Sequence, residues 1–163
     1  MFSFTRKTDY ALVALSRLAR SSSDGSEAVS ARQIADEYGT PLSLLMNVLK
    51  DLQQAGIIGS TRGSRGGYFL QRPADRITFA CIIEAIDKPV GLTACCTPTD
   101  SPQCNTTQGD DCAPCQIMPN CPVGRSIRKV NQHVTDYLAR ITLDDLIHGR
   151  IEPIVPETEM LAR

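Results

Sequence analysis

Apolar residues recur at helical spacing near the start of the chain. Leu12, Leu15, Leu18 and Ala19 fall on one face, and Thr8 is placed to cap a helix running through Ala19. A polar stretch, SSSDGSE at 21–27, reads as a linker. Ser30 with Gln33 spells a capping box ahead of Ile34, Ala35 and Tyr38, and Gly39 ends that second helix. Thr40 as cap and Pro41 at the first helical position predict a third helix, with Leu42, Leu45, Met46, Leu49 and Leu52 turned inward, ending at Gly56. Ile57 to Thr61 and Gly67 to Leu70 then read as two short strands around the turn RGSRG. Further on, a helix capped near Thr78 carries Ile82, Ile83 and Ile86. Pro122 opens the longest helix, with Val123, Ile127, Val130, Val134 and Leu138 as a narrow stripe. Thr142 caps a last short helix ending near His148.

The expected fold is mainly α with a small β-hairpin wing. Two helices joined by a Gly-containing turn, then a hairpin with a basic tip, are the parts of a winged helix-turn-helix. A long helix with one narrow apolar seam, late in a small chain, suits a dimer contact. The domain reading is a DNA-binding unit over 1–74, a sensor loop and dimerisation helices over 75–148, and a loose tail over 149–163.

Composition changes this picture in two places. The 163 residues carry a net charge of −1, which by itself does not announce a nucleic-acid partner. The charge is unevenly spread. Residues 1–80 hold ten Lys or Arg against seven Asp or Glu, a net of +3, and residues 81–163 hold seven against eleven, a net of −4. The second place is cysteine. Six of the seven lie between Cys95 and Cys121, in a stretch without helical or strand period that reads as a long functional loop. An odd cysteine count without a secretory signal argues against a disulfide scaffold and for a cytoplasmic protein using metal, cluster or redox chemistry. No stretch is long and apolar enough for a membrane partner.

On the third helix the face opposite the leucines shows Ser43, Asn47, Lys50 and Gln54. Asn pairs bidentately with adenine in the major groove, and Ser43 lies one turn before Asn47. The wing tip offers Arg62, Ser64 and Arg65 among glycines, a form suited to a narrow minor groove. Arg32 and Gln33, at the start of the second helix, are candidate phosphate contacts. The alternatives are a solvated polar helix face and a solubilising Arg pair.

FTRKTDYALVALSRLA, then ARQIADEYGTPLSLLMNVLKDLQQAGIIGSTRGSRGGYFLQRPADRITFACIIEAID, and finally CPVGRSIRKVNQHV with TLDDL resemble the Rrf-type family of winged-helix transcriptional regulators, the IscR-, NsrR- and CymR-like proteins. The resemblance spans about residues 1–148, and AGIIGSTRGSRGGYFLQRP is its specific part. LTAC at 92–95 and CPV at 121–123 look most like the subgroup governing cluster-assembly genes. The resemblance implies a repressor-type homodimer on a near-palindromic double-stranded DNA operator, sensing cluster status, redox stress or nitric oxide. It implies a two-iron or four-iron cluster held by three cysteines and a variable fourth ligand. Carried over residue by residue, the ligands are Cys95, Cys115 and Cys121. The family's His-ligand position is Gly124 here, so the acidic alternative near the N-terminus falls on Asp9. A first-turn Asp also simply complements the helix dipole. Cys96, Cys104 and Cys112 exceed the family pattern and are open as substitutes, ligands of a second metal or resolving thiols.

The residues themselves leave rivals to a cluster. Soft thiolates suit iron–sulfur irons, and a helix N-terminus favours thiolate at Cys121. One CxxC with two further cysteines also suits zinc, although zinc ribbons show two such pairs. A metal-free thiol–disulfide sensor is the third reading. Cys112-Ala-Pro-Cys115 has the form of a thiol oxidoreductase motif but lacks the following helix, so no enzyme is expected. Cys81, on an apolar helix face, reads as a small hydrophobe, and His133 and His148 as surface residues.

Overall fold

The structure is a computed structural model, described for residues 4–23, 28–63, 66–87, 90–93, 96 and 120–151. Its first helix, α1 (Arg6–Ser23), is longer than the apolar pattern at both ends. Thr8 is not its cap. The Thr8 side chain is buried and donates to Asp87 Oδ2 at 2.6 Å. The same carboxylate accepts from the Thr5 hydroxyl at 2.9 Å and from the Thr5 backbone N–H at 3.4 Å. A distant acid therefore engages the Thr8 hydroxyl and lies at the end of the helix that favours negative charge. At its other end α1 continues through Ser21, which is buried, so the helix consumes the first part of the expected linker.

Helix α2 (Ala31–Tyr38) forms as its sequence spells. Ser30 and Gln33 make the reciprocal capping box, and Gly39 closes the helix at φ 63°. An Arg17–Glu37 ion pair of 2.8 Å ties α2 to α1, and that guanidinium holds the Glu37 carboxyl below its usual range. Helix α3 (Leu42–Gln54) departs from expectation at its start. Pro41 occupies the cap with no side-chain hydrogen bond, and its carbonyl accepts from Leu44 and Leu45. The extended ψ of 118° at Pro41 keeps it outside the helix. Thr40, the expected cap, has a buried hydroxyl with no partner among the described residues. At the C-terminus, Gly56 has φ 67°, and the Ile57→Leu52 and Gly56→Gln53 backbone bonds form a Schellman closure.

Strands β1 (Ile58–Thr61) and β2 (Gly67–Leu70) pair antiparallel, Gly59 facing Phe69 and Thr61 facing Gly67. Val29 joins them by exchanging backbone bonds with Tyr68 at 2.9 and 2.8 Å. That approach depends on glycine: a Cβ on Gly67 would stand 2.6 Å from the Val29 carbonyl. Gly67→Ala should therefore push Val29 off the wing. The expected cost is about 1–3 kcal/mol, in the range of overpacking, read as a lower urea midpoint.

A 3₁₀ turn (Ala74–Arg76) leads to α4 (Phe79–Ile86), capped by Thr78. Helix α5 (Gly124–Arg140) and α6 (Leu143–His148) follow. Helix α6 carries a Thr142–Asp145 capping box, and the Thr142 hydroxyl and N–H hold the Asp145 carboxyl below its usual range. Backbone bonds Leu143→Ile77 and Phe79→Ile141 return α6 to the start of α4. One core results. Leu15, Leu18, Ile34, Leu45, Leu49, Leu52 and Ile58 share it with Ile77, Ile82 and Leu143.

Helix α5 begins at Gly124, two residues later than the proline signal predicts, with Val123 as its cap. Its apolar stripe is only partly covered. Leu138 is buried and Ile127 and Val134 are half-buried, but Val123 and Val130 are 60% and 49% exposed. No helix among the described residues is long and apolar enough to cross a membrane.

Candidate DNA-reading surface and cysteine segment

The scaffold fixes α3 by one side only. Leu45, Val48, Leu49 and Leu52 are buried, so the opposite face is free. On it Ser43, Asn47, Lys50 and Gln54 are all exposed, as the spacing predicts. The inward set differs. Met46 and Leu42, expected inside, are exposed, and Val48, not expected, is buried in their stead. At 3.6 residues per turn Val48 falls beside Leu52 at one edge of the buried face, whereas Met46 lies about 100° from Leu45, beyond Leu49 on the other flank. Leu44, on the Val48 side, is also exposed.

Arg62 follows β1 directly and is exposed. Gly63, at φ 127°, and a Gly66→Gly63 backbone bond shape the turn. Gly66 has no room for a side chain, since a Cβ there would lie 2.5 Å from the Thr61 carbonyl. Ser64 and Arg65 lie outside the described residues. Arg32 is exposed at the start of α2. Gln33 is exposed too, but its side-chain oxygen accepts from the Ser30 N–H at 2.9 Å, so capping occupies that atom. Helix, turn, second helix and wing thus present Arg32, Ser43, Asn47, Lys50 and Arg62 to solvent around a common core. With Arg62→Ala, operator affinity is expected to fall about tenfold, the scale of one good groove contact. Unchanged binding in a gel-shift titration would count against a DNA-touching wing.

The cysteine segment leaves α4 and enters α5. Cys95, Cys104, Cys112 and Cys115 lie outside the described residues. Its two described cysteines meet the same end of α5. Cys96 is half-buried, and its Sγ donates to the Ile127 carbonyl at 3.9 Å. The Thr93 hydroxyl lies 3.3 Å from that sulfur, and Leu92 N–H donates to Asn131 at 2.9 Å. Cys121 is half-buried ahead of the helix, its Sγ 3.6 Å from where a Cβ on Gly124 would stand. Gly124 and Ile127 are three residues apart, hence on one face. Asp9 is exposed in the first turn of α1. Among the described residues no three His, Cys, Asp or Glu side chains converge on a common point. Cys81 is half-buried against the core. His133 is exposed, and His148 binds Asp144 at the end of α6.

These elements define a winged helix-turn-helix DNA-binding regulator with a long C-terminal helix. The chain belongs to the Rrf2 family, described as an iron-dependent transcriptional regulator, whose match runs over residues 4–149. It is similar to the HTH-type transcriptional regulator IscR of Pectobacterium carotovorum, with 30% identity over 146 residues, 90% of this chain and 79% of that one. The IscR of Xenorhabdus nematophila is 31% identical over the same shares. Among solved structures, CymR, the global cysteine regulator of B. subtilis, superposes with a TM-score of 0.68 at 22% identity, covering 91% of this chain and 98% of that one. IscR of T. potens gives 0.63 at 22%, covering 98% and 96%. At such identities the structural likenesses carry the fold alone. The relatives are transcriptional regulators, in line with the reading that this chain is not an enzyme.

Proposed function

We propose that the chain is a homodimeric transcriptional repressor whose DNA affinity is set by an iron–sulfur cluster held in the cysteine segment. One observation carries the reading furthest: Cys96 and Cys121, near the two ends of that segment, both sit against the first turns of α5. Anything that gathers the segment's thiolates therefore bears on the helix whose stripe a partner copy would cover. Cys95, Cys115 and Cys121 would hold the cluster, with Asp9 of the partner subunit as fourth ligand. The three thiolates fit such a group, because iron bound to sulfide takes soft sulfur ligands; the Asp9 carboxylate would be the one hard donor beside them. When bound, a cluster supplies a centre that oxidants and nitric oxide can damage.

The chain's own residues do the rest. Cys96 and Asn131 pin the start of the segment to α5. Exposed Val123 and Val130 would pack on the same stripe of a second copy. Two such units would present paired α3 helices and wings to a near-palindromic operator. Anaerobic purification with iron, sulfide and zinc analysis tests the cofactor. Brown protein with iron and sulfide agrees with the reading. Colourless protein with stoichiometric zinc moves it to a zinc-binding regulator, and metal-free protein to a thiol–disulfide sensor.

A further inference from the structure

The exposed apolar side chains of α3 are unaccounted for by the polar contacts described above. Among the described residues seven large apolar side chains are exposed, and Leu42, Leu44 and Met46 of the first half of α3 make up three of them. They sit on the helix that the fold presents to solvent, interleaved with Ser43 and Asn47. We propose that Met46 is a specificity-determining residue that packs on the 5-methyl group of a thymine beside the base read by Asn47; the proposal rests on α3 being the DNA-reading helix.

Position singles out Met46 among the three. It lies three residues after Ser43 and four before Lys50, so its side chain stands beside both polar groups. Leu44 falls on the opposite flank, four residues before the buried Val48, and Leu42 is the first helical residue. Chemistry fits the position. The thymine methyl is the one apolar group that base edges display in the major groove. A thioether on a flexible unbranched chain conforms to such a small, irregular surface better than a branched side chain. Met46 is 44% exposed, so contact with a methyl removes apolar area that water otherwise covers.

The test uses anaerobically purified full chain and duplexes selected by it from a random-sequence pool. Each conserved thymine is then replaced by deoxyuridine, which removes the methyl and nothing else. Replacing one such thymine in a single half-site should cost the wild type about fourfold in affinity, the scale of one buried methyl. Met46→Ala should bind the thymine duplex more weakly by at least that factor and respond to the replacement by less than about twofold. Its thermal midpoint should match the wild type, since Met46 is outside the core. Losses that add independently, or no thymine whose methyl matters, would overturn the proposal. A pool that yields no enriched sequence would instead strike at the DNA-reading role of α3 itself.

Discussion

Serine in place of Cys121 is expected to give a colourless protein. Iron affinity should fall by at least about a hundredfold, because losing even a group that only orients a metal ligand costs 10–100-fold. The hydroxyl is a hard donor and keeps nearly the thiol's shape, so the loss reports ligand chemistry rather than packing. Cys121 is half-buried ahead of α5 and outside the buried core, so far-UV circular dichroism and the thermal midpoint should stay close to wild type. Cys81→Ser is the matched control. Cys81 packs against the core from α4, so its loss costs some stability and leaves iron binding intact. Wild-type visible absorbance in the Cys121 variant would remove this residue from the ligand set.

Asn47→Ala is expected to produce the largest loss on the DNA side. A bidentate base pairing is worth about 1–3 kcal/mol, so affinity for the selected operator should drop roughly 5- to 150-fold. Binding to random duplex at the same salt should barely change, because Asn carries no charge for phosphate. Arg62→Ala separates the two kinds of contact. It should weaken binding across many sequences and flatten the salt dependence by about one ion. Asn47→Ala should relax specificity at one position and leave the salt slope alone. Equal losses on operator and random DNA in the Asn47 variant would assign it to the solvated face.

Much of the fold was legible because local signals and packing agree. Ser30, Gln33 and Gly39 bracket α2 as their chemistry dictates, and the glycines around Arg62 mark the wing. The departures lie where a distant group, a neighbouring residue or packing overrides the local signal. Thr8 looks like a cap but is bound by Asp87, on the far side of the hairpin. Pro41 takes the cap that Thr40 was expected to fill. Met46 looked inward because the apolar run of α3 is nearly continuous, and only packing decides which of Met46 and Val48 is covered. On α5, the stripe read correctly as apolar, but Val123 and Val130 stay exposed within one chain. The second copy proposed above would cover both. The candidate site divides the same way. The polar face of α3 follows from helical period alone, whereas choosing ligands among six cysteines needs three-dimensional proximity that periodicity does not encode.

In the proposed mechanism, cluster and DNA are linked through α5. A ligand shifts a conformational equilibrium only by binding its two states unequally, and such couplings are typically 5- to 150-fold. The most direct measurement is therefore operator affinity, by anisotropy titration under anaerobic conditions and at matched salt, for cluster-bound and cluster-free protein side by side. A reproducible difference of about fivefold or more is the predicted result. Identical affinity in the two forms would contradict the account.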